Sequence, residues 1–235
     1  MAEKKRERLQ CPYCENEQVF ESYESIDLTA EPDLKDRIMS EEIFTMTCEK
    51  CGKKALIAFP CLFSDMEKKM LIWLIGGYTE EQKAALDQDL MDSAKNDDEK
   101  EFARSYKRRI VGSINELKEK LIIAEDELDD RVIEVLKILC INEVIGQIIG
   151  ATLREVRYDR NKEGKKYLIL IFEEKEPSMI EINNQMYKTV KDMFMDDIEK
   201  NTPADGFAEI NAFWAKDLVD NSTAGLEEED SDKLN

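Results

Sequence analysis

The residues best placed to do chemistry are cysteines. Cys11-Pro-Tyr-Cys14 and Cys48-Glu-Lys-Cys51 are two C-x2-C pairs separated by 33 residues. In such a knuckle the backbone turns so that both sulfurs point at one centre, and two knuckles supply four thiolates in a tetrahedron. Zinc takes that arrangement with Zn–S of about 2.3 Å and no open position, which makes the site structural rather than catalytic. Cys11, Cys14, Cys48 and Cys51 are therefore the predicted ligands of one Zn2+ per chain, in preference to iron, which four thiolates at this spacing also hold. Gly52, directly after Cys51, supplies the left-handed backbone that lets N–H groups aim at the sulfurs. Lys50, Lys53 and Lys54 are placed to offset the double negative charge of a tetrathiolate. In the first knuckle the matching position is Glu15, where a left-handed backbone costs about 1–2 kcal/mol, unless Asn16 takes that conformation instead. Metal binding in small zinc units contributes about 10–16 kcal/mol, so this defect does not threaten the site.

Other chemistries fit less well. Cys-Pro-Tyr-Cys is also the active-site string of glutaredoxins, whose first cysteine sits at a helix N-terminus after a buried strand. The ten residues before Cys11 are mostly charged or polar and suggest no strand, and a second pair lies downstream, so redox catalysis is set aside. Cys61 and Cys140 have no sequence partner and read as small buried hydrophobes. The chain has no histidine, which removes Ser-His-Asp and Cys-His catalysis, HExxH metal sites and any imidazole base. It has neither GxxxxGK[ST] nor GxGxxG, the common nucleotide fingerprints. A hydrolase built on paired carboxylates has Asp129-Asp130, Glu173-Glu174 and Asp196-Asp197 to draw on. Adjacent carboxylates point to different sides of a helix or strand, so these read as solvated faces or caps.

Charge narrows the partners. The net charge is −19, from 53 acidic against 34 basic residues, and residues 1–76 account for −4 of it. The acidic remainder repels phosphate backbones, so nucleic acid and anionic membranes are disfavoured. Lys4, Lys5, Arg6 and Arg8 read as a solvated basic arm. No apolar h-region follows the first residues, and Met70–Ile75 is too short to span a bilayer. A soluble, cytoplasmic protein is expected.

The elements that must position the knuckles read as α+β: an N-terminal zinc-ribbon-type β module (1–76), an α/β-mixed helical region with a β-hairpin (77–219), and a disordered acidic tail (220–235). Strands are expected at Glu17–Ile26, Ile43–Thr47 and Lys54–Phe59, with a short helix at Asp33–Met39. Met70–Ile75 is a strand or buried segment, and Gly76-Gly77 marks a soft boundary. A capping pattern at Thr79 and Gln82 opens a helix to Asp92, and Asn96–Glu101 reads as a solvated connection. Ser113 and Glu116 open a second helix. Asp130 to Ile145 is apolar nearly all round, as a central core helix is. A hairpin follows, Leu153–Tyr158 and Tyr167–Phe172 about an Asn161–Gly164 turn, with a further strand at Met179–Ile182. Two helices close the fold, one with Met186, Val190, Phe194 and Ile198, the other with Phe207, Ile210, Trp214 and Leu218. Trp73 and Trp214 are expected in the core.

Several stretches together resemble the CpXC-domain family, prokaryotic proteins named for two cysteine pairs. They are Cys11–Cys14, Ser25–Thr29 with Glu31–Leu34, Phe44–Gly52 and Asp65–Trp73, then Arg109–Lys120 and Leu128–Glu134. The likeness covers about residues 10–140. It implies a metal-binding module without an assigned biochemical role, with the four cysteines as its functional residues. The second pair lacks the family's proline and the first lacks the following glycine. The reading favoured on all counts is a non-enzymatic zinc-ribbon protein that presents a surface to an unknown protein partner. A nucleic-acid-binding ribbon is the first alternative and a carboxylate hydrolase the second; oligomeric state stays open.

Overall fold

The computed structural model describes residues 2–144 and 150–232, with 223–232 as backbone. The chain is mixed α and β, and it divides into two compact units. The first is Met1–Lys118 with Asp205–Ala208, and the second is Glu119–Ala204 with Glu209–Asn235. Gly76-Gly77 lies inside the first unit, because the sheet continues beyond it.

That sheet begins with a hairpin of β1 (Glu3–Gln10) and β2 (Glu17–Asp27), paired antiparallel from Gln10↔Glu17 outward. β1 corrects the expectation of a solvated arm. Its side chains are largely exposed, so no apolar alternation announced it. Backbone pairing carries it, with Lys4 and Arg6 both reaching Glu21 across the ladder at 2.7 and 3.5 Å. Lysines on an edge strand also discourage pairing with another chain.

After α1 (Asp33–Met39) and a 3-10 turn (Glu42–Phe44), a second hairpin forms from β3 (Thr45–Thr47) and β4 (Lys54–Leu56). β5 (Cys61–Asp65), β6 (Met70–Leu74) and β7 (Lys107–Val111) complete the large sheet in the order β1-β2-β5-β6-β7. The β2–β5 and β6–β7 pairings are parallel. A parallel neighbour needs a crossover, and α2 (Glu80–Asp92) and α3 (Asp97–Arg104) supply it between β6 and β7. α2 opens with the predicted capping box between Thr79 and Gln82. α3 replaces the predicted solvated connection. Asn96 accepts the Glu99 N–H at 2.9 Å, and Asp97, Asp98 and Glu99 fill the first turn, where negative charge is favoured.

β7 was hidden by its own charges. Arg108 and Arg109 are both buried. Arg108 donates to Asp87 on α2 at 3.1 Å and to Asp205. The outer edge of β7 is met by Ala208, whose C=O accepts the Ile110 N–H at 3.0 Å and whose N–H donates to Arg108 at 3.2 Å. Phe207 packs with Leu71, Ile110 and Trp73. The turn needs Gly206, since its φ is +89° and a Cβ there would lie 2.9 Å from the Asp87 carboxylate. Phe207 and Ile210 therefore precede the last helix, contrary to expectation.

α4 (Ile114–Glu125) links the units in sequence. Ser113 accepts the Glu116 N–H at 3.2 Å, while the Glu116 carboxylate accepts from Gly112 rather than from Ser113. The second unit holds α5 (Asp130–Val144), the antiparallel sheet of β8 (Leu153–Arg160), β9 (Lys166–Phe172) and β10 (Ser178–Ile182), then α6 (Asn184–Lys200) and α7 (Ala212–Asp232). The predicted turn is present, with Asn161 Oδ1 accepting from Glu163 and Lys165. Ile145, the expected end of α5, lies outside the described residues. The stretch read as an acidic tail is helical backbone as far as Asp232.

α5 is buried nearly all round, as expected, but not by apolar residues alone. Lys120 Nζ lies 3.1 Å from Asp130 and 3.2 Å from Glu134, and donates to the Ile210 C=O at 2.7 Å. Lys137 Nζ lies 2.7 Å from Glu119 and 3.1 Å from Glu134. All five side chains are buried. Burial works against the Lys137 charge, yet Glu134 and Glu119 hold its pKa above the ordinary lysine value.

Three outcomes check this fold. Phe207→Ala should cost about 3–5 kcal/mol in urea unfolding followed by Trp73 fluorescence in a Trp214→Phe background; an unchanged midpoint would remove Phe207 from the first core. Lys137→Ala should cost about 3–5 kcal/mol by leaving Glu119 and Glu134 buried with too few partners. Lys216→Ala, which breaks an exposed pair with Asp220, should leave the urea midpoint in place.

Candidate metal centre

Each knuckle is the tip of a β-hairpin. Cys11–Asn16 joins β1 to β2, and Cys48–Lys53 joins β3 to β4. The two loops repeat one hydrogen-bond pattern. Cys11 N–H donates to the Asn16 C=O and Glu15 N–H to the Cys11 C=O, each at 2.9 Å. Cys48 N–H donates to Lys53 and Gly52 N–H to Cys48, also at 2.9 Å. The left-handed position falls on Glu15 (φ 59°) and on Gly52 (φ 70°). Asn16 does not take it, because matching hydrogen bonds fix the same position in both loops.

The structure brings the four expected residues together. Cys11 and Cys51 sulfurs are 3.8 Å apart, Cys14 and Cys48 sulfurs 3.6 Å, and all four lie within 4.8 Å of one another. A tetrahedron with metal–sulfur bonds of about 2.3 Å has edges of about 3.8 Å. The sulfurs are far beyond disulfide bonding distance, and all six cysteines are free. The donor set and its spacing fit a metal ion. Cys11 and Cys48 are buried and Cys51 is exposed.

The backbone favours charge on two of the sulfurs and prevails at Cys48. The Cys51 N–H, 3.5 Å from the Cys48 sulfur, leads the causes that lower the Cys48 pKa to about 6. At Cys14 the Asn16 backbone favours the thiolate, but desolvation and the three other sulfurs outweigh it and push the pKa up to about 12. Lys53 places its ammonium over the Tyr13 ring at 4.9 Å, reaching from the second knuckle to the first. A second bridge was invisible in the sequence. Gln18, on β2, donates through Nε2 to the Thr47 C=O and accepts the Glu49 N–H through Oε1, each at 3.0 Å. Nothing in residue type or spacing marks a glutamine for that task.

The remaining candidates lie elsewhere. Cys61 and Cys140 are buried, and burial raises both thiol pKa values. Cys11 follows a strand, contrary to expectation, but it sits in a hairpin loop rather than at a helix N-terminus. The carboxylate pairs find structural partners. Asp130 is buried against Lys120, not solvated, Asp129 binds Arg131 at 2.7 Å, and Glu174 caps Thr152 at 2.7 Å. Asp197 accepts from Ser222 at 2.8 Å. Asp196 and Glu173 are exposed.

Two cysteine knuckles on hairpin tips, in an α+β chain, define a four-cysteine protein whose cluster is compatible with metal binding. Residues 9–137 match the family described as CpXC protein, and the chain belongs to that family. No curated protein and no solved structure matches it. Among the described residues no helix is long and apolar enough to cross a membrane.

The two left-handed positions generate a paired outcome. Glu15→Gly should stabilise the protein by about 1 kcal/mol by removing the Cβ penalty. Gly52→Ala should destabilise it for the same reason, since no atom lies within 4 Å of the added Cβ and conformation is its main cost. Thermal unfolding of both variants checks this; shifts of the same sign would refute it.

Proposed function

We propose that Cys11, Cys14, Cys48 and Cys51 hold one structural Zn2+, and that this CpXC protein is a non-enzymatic module that presents its ribbon hairpins to a protein partner. The observation that carries the metal reading is the convergence of four sulfurs at tetrahedral spacing from two loops of matching geometry. Four thiolates leave no open position, so zinc here fixes structure rather than activating water. An iron tetrathiolate would use the same four sulfurs, and zinc is the metal proposed because a closed tetrathiolate is its usual structural site.

The partner reading is supported by what the hairpins expose. Tyr13 in the first knuckle, Val19 on β2 and Leu56 on β4 are each more than half exposed. Tyrosine is among the side chains enriched at the energetic centres of protein contacts, and exposed aliphatic side chains supply apolar area to bury. The nucleic-acid alternative loses support at β1, where Lys4 and Arg6 are paired with Glu21 and Lys5 with Glu7, which leaves less free charge for phosphates.

Protein purified without added zinc should contain one equivalent of it by elemental analysis. Less than half an equivalent would overturn the metal reading, and ferric tetrathiolate absorption would move it to iron. Cys48→Ser should lose the metal and make residues 10–60 protease-sensitive, whereas Cys61→Ser should keep full metal content. The reverse pattern would show the ligand set to be wrong.

A further inference from the structure

We propose that Gln18 is a positioning residue of the metal centre, one that sets the second knuckle against the first. The proposal rests on the reading of the cysteine cluster as a metal site. Gln18 stands on β2 four residues after Cys14, on the hairpin that carries Cys11 and Cys14. Its carboxamide holds the residues on either side of Cys48: Nε2 donates to the Thr47 C=O and Oε1 accepts the Glu49 N–H, each at 3.0 Å. This is the pairing a neighbouring strand would make, delivered by a side chain. It fixes the two peptide groups that flank Cys48, and with them the direction of the Cα–Cβ bond.

The consequence falls on the sulfur geometry. Cys48 is the residue whose sulfur stands 3.6 Å from Cys14 and receives the Cys51 N–H. Thr47 ends β3, so pairing with β4 constrains the chain before Cys48 on one side. The Gln18 amide constrains it on the other, from the opposite hairpin. The knuckles are far apart in sequence, and Lys53 over Tyr13 is a looser tie between them, a cation on a ring rather than two directed hydrogen bonds. A residue that orders ligands before metal arrives lowers the cost of assembling them, and loss of such outer contacts lowers metal affinity about 10- to 100-fold.

The test compares Gln18→Ala and Gln18→Met with wild type and with Glu24→Ala, an exposed position on the same strand. Gln18→Met keeps the length and packing of the side chain but neither hydrogen bond, so it serves if the alanine variant folds poorly. Zinc affinity is read by competition with a chromophoric chelator, and ligand geometry by the visible d–d bands of the Co2+-loaded proteins. Both Gln18 variants should bind zinc about 10- to 100-fold more weakly. At saturating zinc their thermal midpoints should fall no further than the weaker affinity accounts for, whereas a general packing role would lower them beyond it. Glu24→Ala should be unchanged. Wild-type affinity in Gln18→Met, or an equal loss in Glu24→Ala, overturns the role of Gln18 while leaving the metal reading intact. Failure of the wild-type protein itself to hold zinc or Co2+ overturns the metal reading instead.

Discussion

Four sulfurs gathered within 4.8 Å repel one another once more than one of them is ionised. Such a cluster persists only if its loops are held together from outside or a cation sits among them. Much of the first unit can be understood as the outside part of that constraint. The hairpins bearing the knuckles share an aromatic floor, where Phe59 packs on Phe20, Tyr23 and Phe44 with ring centroids 5.2–6.4 Å away. Phe20 and Tyr23 come from β2, and Phe44 leads directly into β3. Apolar burial below and hydrogen bonds above thus bring two loops to one point, which short strands alone bury too little area to do.

The same chain spends its charge unusually. At 37% charged residues a solvated surface is the simple expectation, yet each unit carries ionised groups inside. In the first, Arg108 ties α2 to the segment at Asp205. In the second, Lys120 and Lys137 are shared among three carboxylates drawn from α4 and α5. Such networks gain little net stability over apolar packing, since desolvation offsets the attraction. What they impose is geometry: a helix slipped by one residue would leave buried charges unpaired, which is costly. The units are thereby specified as well as stabilised.

This explains which parts were legible in the sequence. The cysteine pairs, the Thr79 capping box, the Asn161 turn and the apolar run of β9 each announce themselves through residues whose local physics admits few alternatives. The α1 range was legible in full. β1, β7 and α3 were not, for one shared reason. Their sequences, Glu3–Gln10, Lys107–Val111 and Asp97–Arg104, are dominated by charge, and periodicity arguments treat charge as a sign of solvent. In β1 the charges are indeed exposed, and backbone pairing with cross-strand ion pairs makes the strand; in β7 Arg108 is buried and paired with Asp87 and Asp205, distant in sequence. Asn96 was the available signal for α3, a good N-cap followed by three acids. Gln18 left no trace, because its role depends on where β2 passes rather than on any motif.

The family match ends at residue 137, inside α5, whereas the first unit does not close there. Its sheet edge at β7 is met by Ala208, and its core takes in Phe207. Local sequence likeness and physical completeness are therefore different boundaries in this chain. The matched stretch contains every cysteine of the cluster and, of the large sheet, β2, β5, β6 and β7 but only the end of β1, and at the sheet's far edge β7 carries Arg108 and Arg109 buried. A buried guanidinium without its carboxylates is expensive, and one of the two carboxylates on Arg108 belongs to Asp205. The residues that make β7 hard to recognise as a strand are the ones that require a segment from beyond the matched region to return to it.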